Sequence, residues 1–202
     1  EIDSLTLEDL YHITFENERG LIAGSSGLIL GSEDNGLTWE TRETPETISE
    51  SEIISIGYYK ANRAYAITSD GQILKSTQEA LTTTVGYSWS IKEIESENYS
   101  TTLNVNLTSL EILSTTKILL TGENGYVALS KDGGNIVTPQ LFPDGFDNQK
   151  INDVAMINAF RGIIVGNDGN IFYTENGGEN NPVGFEVVDF NDFNEFVDFT
   201  KD

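Results

Sequence analysis

The chain has 202 residues, of which 33 are acidic and 11 basic, for a formal charge of −22, with 19 glycines, 4 prolines and no cysteine. This length can bury one sizeable core. The charge argues against nucleic acid and anionic membrane surfaces as partners, and the missing cysteines exclude disulfides and thiolate metal sites.

No apolar run reaches the ~20 residues needed to span a bilayer, and no basic start followed by an apolar segment marks a signal peptide. The chain opens at Glu1 rather than Met, as a processed form would. Ile, Val, Thr, Phe and Tyr fall in short runs between glycines, which predicts many short strands joined by tight turns.

In chain order, a strand ends near Phe15, a turn leads to Leu21-Ile22-Ala23, and Gly24-Ser25-Ser26-Gly27 turns the chain into a third strand. Ser32-Glu33-Asp34-Asn35-Gly36-Leu37-Thr38-Trp39 then forms a polar turn closing on a large aromatic. The pattern recurs. Gly27, Gly71, Gly125 and Gly169 align at spacings of 44, 54 and 44, and Ile29, Ile73, Val127 and Ile171 follow in the same register. First strands end near Phe15, Tyr59, Leu113 and Ile157.

Four antiparallel strands repeated every ~40–50 residues describe a propeller blade. The expected fold is therefore an all-β propeller with blades at about 7–45, 50–95, 105–145 and 150–191. The ten extra residues between the second and third copies fall in the turn from Thr77 to Gly86 and in the polar connection from Ile94 to Asn106. Phe199 lies 42 residues beyond Ile157, so 193–202 reads as the first strand of a fifth blade. An unpaired strand is a liability, and two expectations follow: a longer propeller of which this is the N-terminal part, or a four-blade unit whose last strand pairs elsewhere.

Ser32, Asp34, Gly36 and Trp39 make a complete match to the Asp-box, or BNR repeat, S-x-D-x-G-x-T-W. Ser130, Asp132 and Gly134 keep its first half. Thr174-Glu175-Asn176-Gly177-Gly178 is a diluted copy with Phe185 in the aromatic role, and the second copy keeps Ser76 and a displaced Trp89. The role of the box is structural: the carboxylate accepts from the turn's own amides, the glycine permits positive φ, and the aromatic staples the turn to the sheet.

With Phe15, Arg19-Gly20, Gly24 and Gly27, the repeat resembles the propeller family of photosystem II assembly and stability factors. Similar propellers occur as bacterial and viral structural components, and sialidases and sortilin-type receptors share the Asp-box. The resemblance implies a propeller and does not choose among those functions.

Arg19, Arg63, Lys117 and Arg161 each stand five residues before Gly24, Thr68, Gly122 and Gly166. In a closed propeller these cations form a ring on one face, a local positive island able to attract an anionic partner; the competing expectation pairs each with a nearby carboxylate. A sialidase would need an asymmetric arginine triad, and Arg42 alone lies outside the periodic arginines. His12, the only histidine, has no second histidine or triad partner in sequence, and reads as a packing or surface residue. Asp144 to Asn148 and Asn167 to Asn170 read as turns, because neither has EF-hand spacing. Asn98 and Asn106 head acceptor sequons that matter only on a glycosylating route.

The expectation is a non-catalytic scaffold or protein-binding module of an extracellular, envelope or virion assembly, with other proteins as partners and with no cofactor, metal or catalytic residue assigned. The alternatives are a photosystem-type assembly factor that binds a membrane-protein precursor and a sialidase-like glycoside hydrolase fragment. A glycan partner has no residue pattern of its own.

Overall fold

The computed structural model describes residues 6–60, 63–78, 87–92, 95–96, 105–179 and 184–188. The expected fifth-blade strand and Asn98 lie outside them.

The first blade is β1 (Leu10–Glu16), β2 (Arg19–Gly24), β3 (Ile29–Ser32) and β4 (Glu40–Thr41), hydrogen-bonded in that order. The second is β5 (Ile53–Lys60), β6 (Arg63–Thr68), β7 (Ile73–Gln78) and β8 (Tyr87–Lys92). After β9 (Glu95–Ser96) come β10 (Leu107–Ile112), β11 (Ile118–Gly122), β12 (Val127–Ser130) and β13 (Ile136–Pro139) in the third. The fourth is β14 (Ile151–Met156), β15 (Gly162–Gly166), β16 (Ile171–Thr174) and β17 (Glu186–Val187).

The architecture is a β-propeller of four antiparallel blades whose first strands are innermost. β1 packs against β5, β5 against β10, and β10 against β14, whereas β14 makes no comparable contact with β1. Two details depart from the sequence reading. β9, expected as part of a polar connection, pairs in parallel with β13 and caps the outer edge of blade three. Trp89 does not staple a turn but is buried between blades one and two, because β7 and β8 stay paired out to Gln78 and Tyr87 and carry the indole with them.

Side chains on successive strand positions point to opposite sheet faces, and here both faces of an inner blade are covered. One set faces the following blade: Leu21, Ala23 and Ile29 in blade one, Tyr65, Ile67 and Ile73 in blade two. The alternate set faces the preceding blade, as do Ile56, Ala66 and Leu74, then Leu120 and Ala128, then Val154, Ile164 and Phe172. Three apolar clusters result, one at each junction. Each fully buried Leu, Ile or Phe contributes roughly 1.5–3 kcal/mol.

The polar turns fix the blades. Ser32 Oγ donates to Asp34 Oδ1 at 2.8 Å and accepts from Gly36 N at 2.9 Å, while Thr38 N and Oγ1 donate to the Asp34 carboxylate at 2.8 and 2.6 Å. These bonds, led by that of the Thr38 hydroxyl, hold the Asp34 carboxyl below its ordinary range. Ser130 with Asp132 and Gly134, and Thr174 with Asn176 and Gly178, repeat the geometry. Trp39 Nε1 donates to Gly36 O at 3.0 Å, and Phe185 lies over Gly178. At the opposite ends of the blades, Gly27 and Gly125 have positive φ and lie so close to the Ile48 and Phe146 carbonyls that a Cβ would meet those oxygens at 2.5 and 2.8 Å.

Packing of this kind separates apolar from polar contributions. Phe172→Ala should cost about 3–5 kcal/mol through the cavity it leaves. Tyr65→Phe removes the Tyr65 hydroxyl's 3.0 Å bond to Gly133 O, an oxygen that also accepts from Lys92 Nζ. Because that acceptor stays satisfied, the cost should be only about 0.5–1.5 kcal/mol. Urea unfolding midpoints at unchanged m value measure both.

Candidate binding face

Each inner strand begins with an irregularity at the same place: register shifts between Leu10 and His12, Ile53 and Ser55, Leu107 and Ser109, and Ile151 and Asp153. The bypassed residues are Tyr11, Ile54, Thr108 and Asn152. Bulges re-aim side chains, and here Ile54, Thr108 and Asn152 line an open cleft of about 460 Å³ where blades two, three and four converge.

The turns after the second strands complete its wall. Ser69 N donates to Glu52 O, Glu123 N to Asn106 O, and Asn167 N to Lys150 O, so each turn is tied to the start of its own inner strand. These ties bring Glu52, Asp70 and Glu123 to the cleft around a single cation, Lys150. Each carboxylate keeps acceptor capacity. Tyr11 Oη donates to Glu52 at 3.2 Å, Ser51 Oγ and Gln72 Nε2 to Asp70 at 3.3 Å, and Asn106 Nδ2 to Glu123 at 2.9 Å. A carboxylate can accept about four such bonds. The cleft therefore offers unfilled acceptors and a negative field.

The opposite face carries the cations singled out by period. Arg19, Arg63, Lys117 and Arg161 all stand at the turn into the second strand of their blades. Arg19 Nε pairs with Glu33 at 2.9 Å, Lys117 Nζ with Glu179 at 3.1 Å, and Arg161 Nε with Glu175 at 3.8 Å. Lys131 also meets Glu179 at 3.0 Å, and the two lysines, Lys131 first, lower the Glu179 carboxyl. Arg63 is exposed and has no ion pair among the described residues. The structure thus places all four at equivalent positions and neutralises three of them. Arg42 is buried and held by Glu33 and Glu40 at 3.2 and 3.5 Å, which commits it to structure.

A second cavity, about 340 Å³, lies on the axis between the inner strands and includes His12, Thr14, Ser109, Glu111 and Asp153. Ser109 Oγ donates to Asp153 Oδ1 at 2.6 Å. His12 Nδ1 accepts from Ile56 N at 3.2 Å, which ties blade one to blade two and occupies the nitrogen a triad would use. Burial raises the Glu111 carboxyl above its ordinary range, opposed by the Met156 amide that donates to it and reinforced by the Asp153 charge. Among the described residues, no group of three or more His, Asp or Glu is placed to hold a metal ion. Asp144 to Asn148 is a turn whose Phe146 packs edge-on against Phe172 at 5.1 Å, and the Asn106 side chain is engaged by Glu123.

Sequence reasoning missed Glu52, Asp70 and Glu123. The available signal was positional, since Asp70 and Glu123 stand in the turns containing Gly71 and Gly125, but 33 acidic residues hid it.

The chain is thus a β-propeller of four antiparallel blades whose two ends differ in charge, cations standing at one and the carboxylates of the cleft at the other. No protein-family model matches the chain, and no curated protein matches it. Among solved structures it is similar to YCF48 from Cyanidioschyzon merolae, with a TM-score of 0.62 and 14% identity over 93% of this chain and 61% of that one. It is also similar to YCF48 bound to D1 peptide, with a TM-score of 0.55 and 14% identity over 91% of this chain and 70% of that one. An ancestral GH74 enzyme matches with a TM-score of 0.61 and 12% identity over 89% of this chain and 25% of that one. The chain therefore spans 61% of the length of the first of these relatives.

Glu111 yields a pH prediction. Its carboxyl is raised, so the stability held by its protonated form is present at low pH and is lost as pH climbs through the folded value. Glu111→Gln keeps an acceptor for Met156 N and removes the buried charge. The variant should melt above the parent at pH 7 and converge with it near pH 4; thermal scans across that range measure the difference.

Proposed function

We propose that the chain is a non-catalytic, protein-binding propeller that takes an extended cationic segment of its partner along the cleft of blades two to four. It serves as a scaffold component of an extracellular, envelope or virion assembly, the setting implied by its resemblance to structural propellers. The observation that carries the binding mode is the cleft itself, where three incompletely satisfied carboxylates surround one lysine in a chain of charge −22. The fold likeness to YCF48 supports a protein partner in general, since that propeller is seen bound to a D1 peptide. The turns of Asp-box type are the scaffold of the blades and perform no chemistry.

The test is fluorescence anisotropy with a labelled Lys-rich dodecapeptide and its Glu-substituted counterpart. The basic peptide should bind, and affinity should fall with added salt because exposed charges are screened within about 10 Å at 0.1 M. Combined Glu52→Gln, Asp70→Asn and Glu123→Gln should weaken binding about tenfold or more, equivalent to at least about 1.4 kcal/mol. The same charge change at Glu18, Glu43 and Glu175 should weaken it far less. Equal losses from the two triple variants would reduce the effect to net charge and overturn the assignment. An assembly factor that uses the cation face predicts the reverse: binding of the anionic peptide, abolished by Arg19→Gln, Arg63→Gln and Arg161→Gln.

A second reading, a glycoside hydrolase, has one observation in its favour. Glu111, with its raised carboxyl, and Asp153 share the axial cavity, as a carboxylate pair for glycoside cleavage would. Turnover of chromogenic glycosides that disappears in Glu111→Gln and Asp153→Asn would replace the binding reading; the expected result is no turnover by the parent chain.

A further inference from the structure

One repeat position changes charge from blade to blade along the cleft. The residue just before each inner strand is Glu52 in blade two, Asn106 in blade three and Lys150 in blade four. The three are equivalent, since the residues that follow them, Ile53, Leu107 and Ile151, pair with Thr68, Gly122 and Gly166. All three line the cleft. Asp70 adds a second carboxylate at blade two, and Glu123 supplies one at blade three, where it accepts from Asn106 Nδ2. Lys150 is exposed, and among the described residues it makes no ion pair with these carboxylates or with Asp168 in the turn of its own blade. The cleft is therefore not evenly acidic. It runs from two carboxylates, through one, to an ammonium with its charge uncommitted.

A segment of uniform charge would meet repulsion at one end of this cleft. Visiting all three blades, it lies across the inner strands rather than along them and cannot join a sheet as a strand. The turn amides of Ser69, Glu123 and Asn167 are already spent on the carbonyls of Glu52, Asn106 and Lys150, so recognition falls to side chains. The extended form that needs no backbone partner is polyproline II, which repeats every three residues at about 3.1 Å each, or about 9 Å per turn. Sheets stacked face to face lie about 10 Å apart, so successive turns match successive blades and put every third residue on one side. We infer that the partner segment is a polyproline II stretch of mixed charge: one basic residue meets Glu52 and Asp70, the next meets Glu123, and a carboxylate a further turn along is held by Lys150. This rests on the cleft reading above and adds to it a spacing and an acidic residue. Lys150 sets the register, because an acid moved to the middle blade meets Glu123 and a base moved to the last blade meets Lys150.

Three end-capped peptides, labelled through a neutral spacer, are compared by fluorescence anisotropy at low salt: Lys-Pro-Pro-Lys-Pro-Pro-Glu, the same peptide ending in Gln, and Lys-Pro-Pro-Glu-Pro-Pro-Lys. The first should bind about two- to fivefold tighter than the second, the range of an exposed ion pair. It should also bind tighter than the third, which has the same composition and net charge. Lys150→Gln should erase the gain from the glutamate, and Lys150→Glu should reverse it. The Lys-rich dodecapeptide, with no acid to place, should bind Lys150→Gln at least as tightly as the parent. Lys150 is exposed, so these variants should keep the fold, which circular dichroism checks. Equal affinity for the first and third peptides, or a glutamate gain that survives in Lys150→Gln, overturns the inference. The cleft reading then still stands if the dodecapeptide binds and is weakened by the combined change at Glu52, Asp70 and Glu123. Loss of all binding, the dodecapeptide included, overturns both.

Discussion

Everything else in this molecule depends on the blade-to-blade junction. A sheet in a two-layer protein needs one apolar face, but an inner propeller blade is covered on both, so its second strand is buried along nearly its whole length and is mostly apolar. β11, Ile-Leu-Leu-Thr-Gly, and the Ala-Tyr-Ala-Ile-Thr part of β6 are buried throughout. Ala23, Ala64, Ala66 and Ala128 are fully buried in these junctions among the branched aliphatics. Register carries the specificity, because a slip of one residue would exchange the two faces of a blade and mismatch both junctions at once.

The junction also sorts the polar groups onto two unlike faces. At one end of the blades, the turns into the second strands and those closing the third strands lie side by side, so Arg19 reaches Glu33 within a blade and Lys117 reaches Glu179 across one. Exposed pairs of this kind contribute only about 0–1 kcal/mol each, yet they cancel the field locally. At the other end, the repeated bulge and the glycine turns consume backbone donors on backbone acceptors, and Lys150 is the cation that lines the cleft with the carboxylates among the described residues. The contrast between the two ends is one of composition: cations and acids alternate at the first, and carboxylates outnumber the one lysine at the cleft.

The fold was legible because it is periodic. Gly27, Gly71, Gly125 and Gly169 mark one turn in each blade, and the register from that glycine runs correctly to Ile29, Ile73, Val127 and Ile171 in the structure. Period likewise located Arg19, Arg63, Lys117 and Arg161 at one equivalent turn, but it could not show their fate. Arg19 and Arg161 each pair with the acid 14 residues on, Glu33 and Glu175, but in blade three that position is Lys131, and Lys117 turns instead to Glu179 of the next blade, which no spacing within a blade reveals. The insertion broke the period, which is why β9 and the buried Trp89 were misread: a tryptophan expected at a turn lies instead on a strand whose partner had lengthened. The cleft was illegible for another reason. It draws on three blades, with Glu52, Asp70 and Glu123 separated by 18 and 53 residues in sequence, and only the closing of the blades around a common axis brings them together.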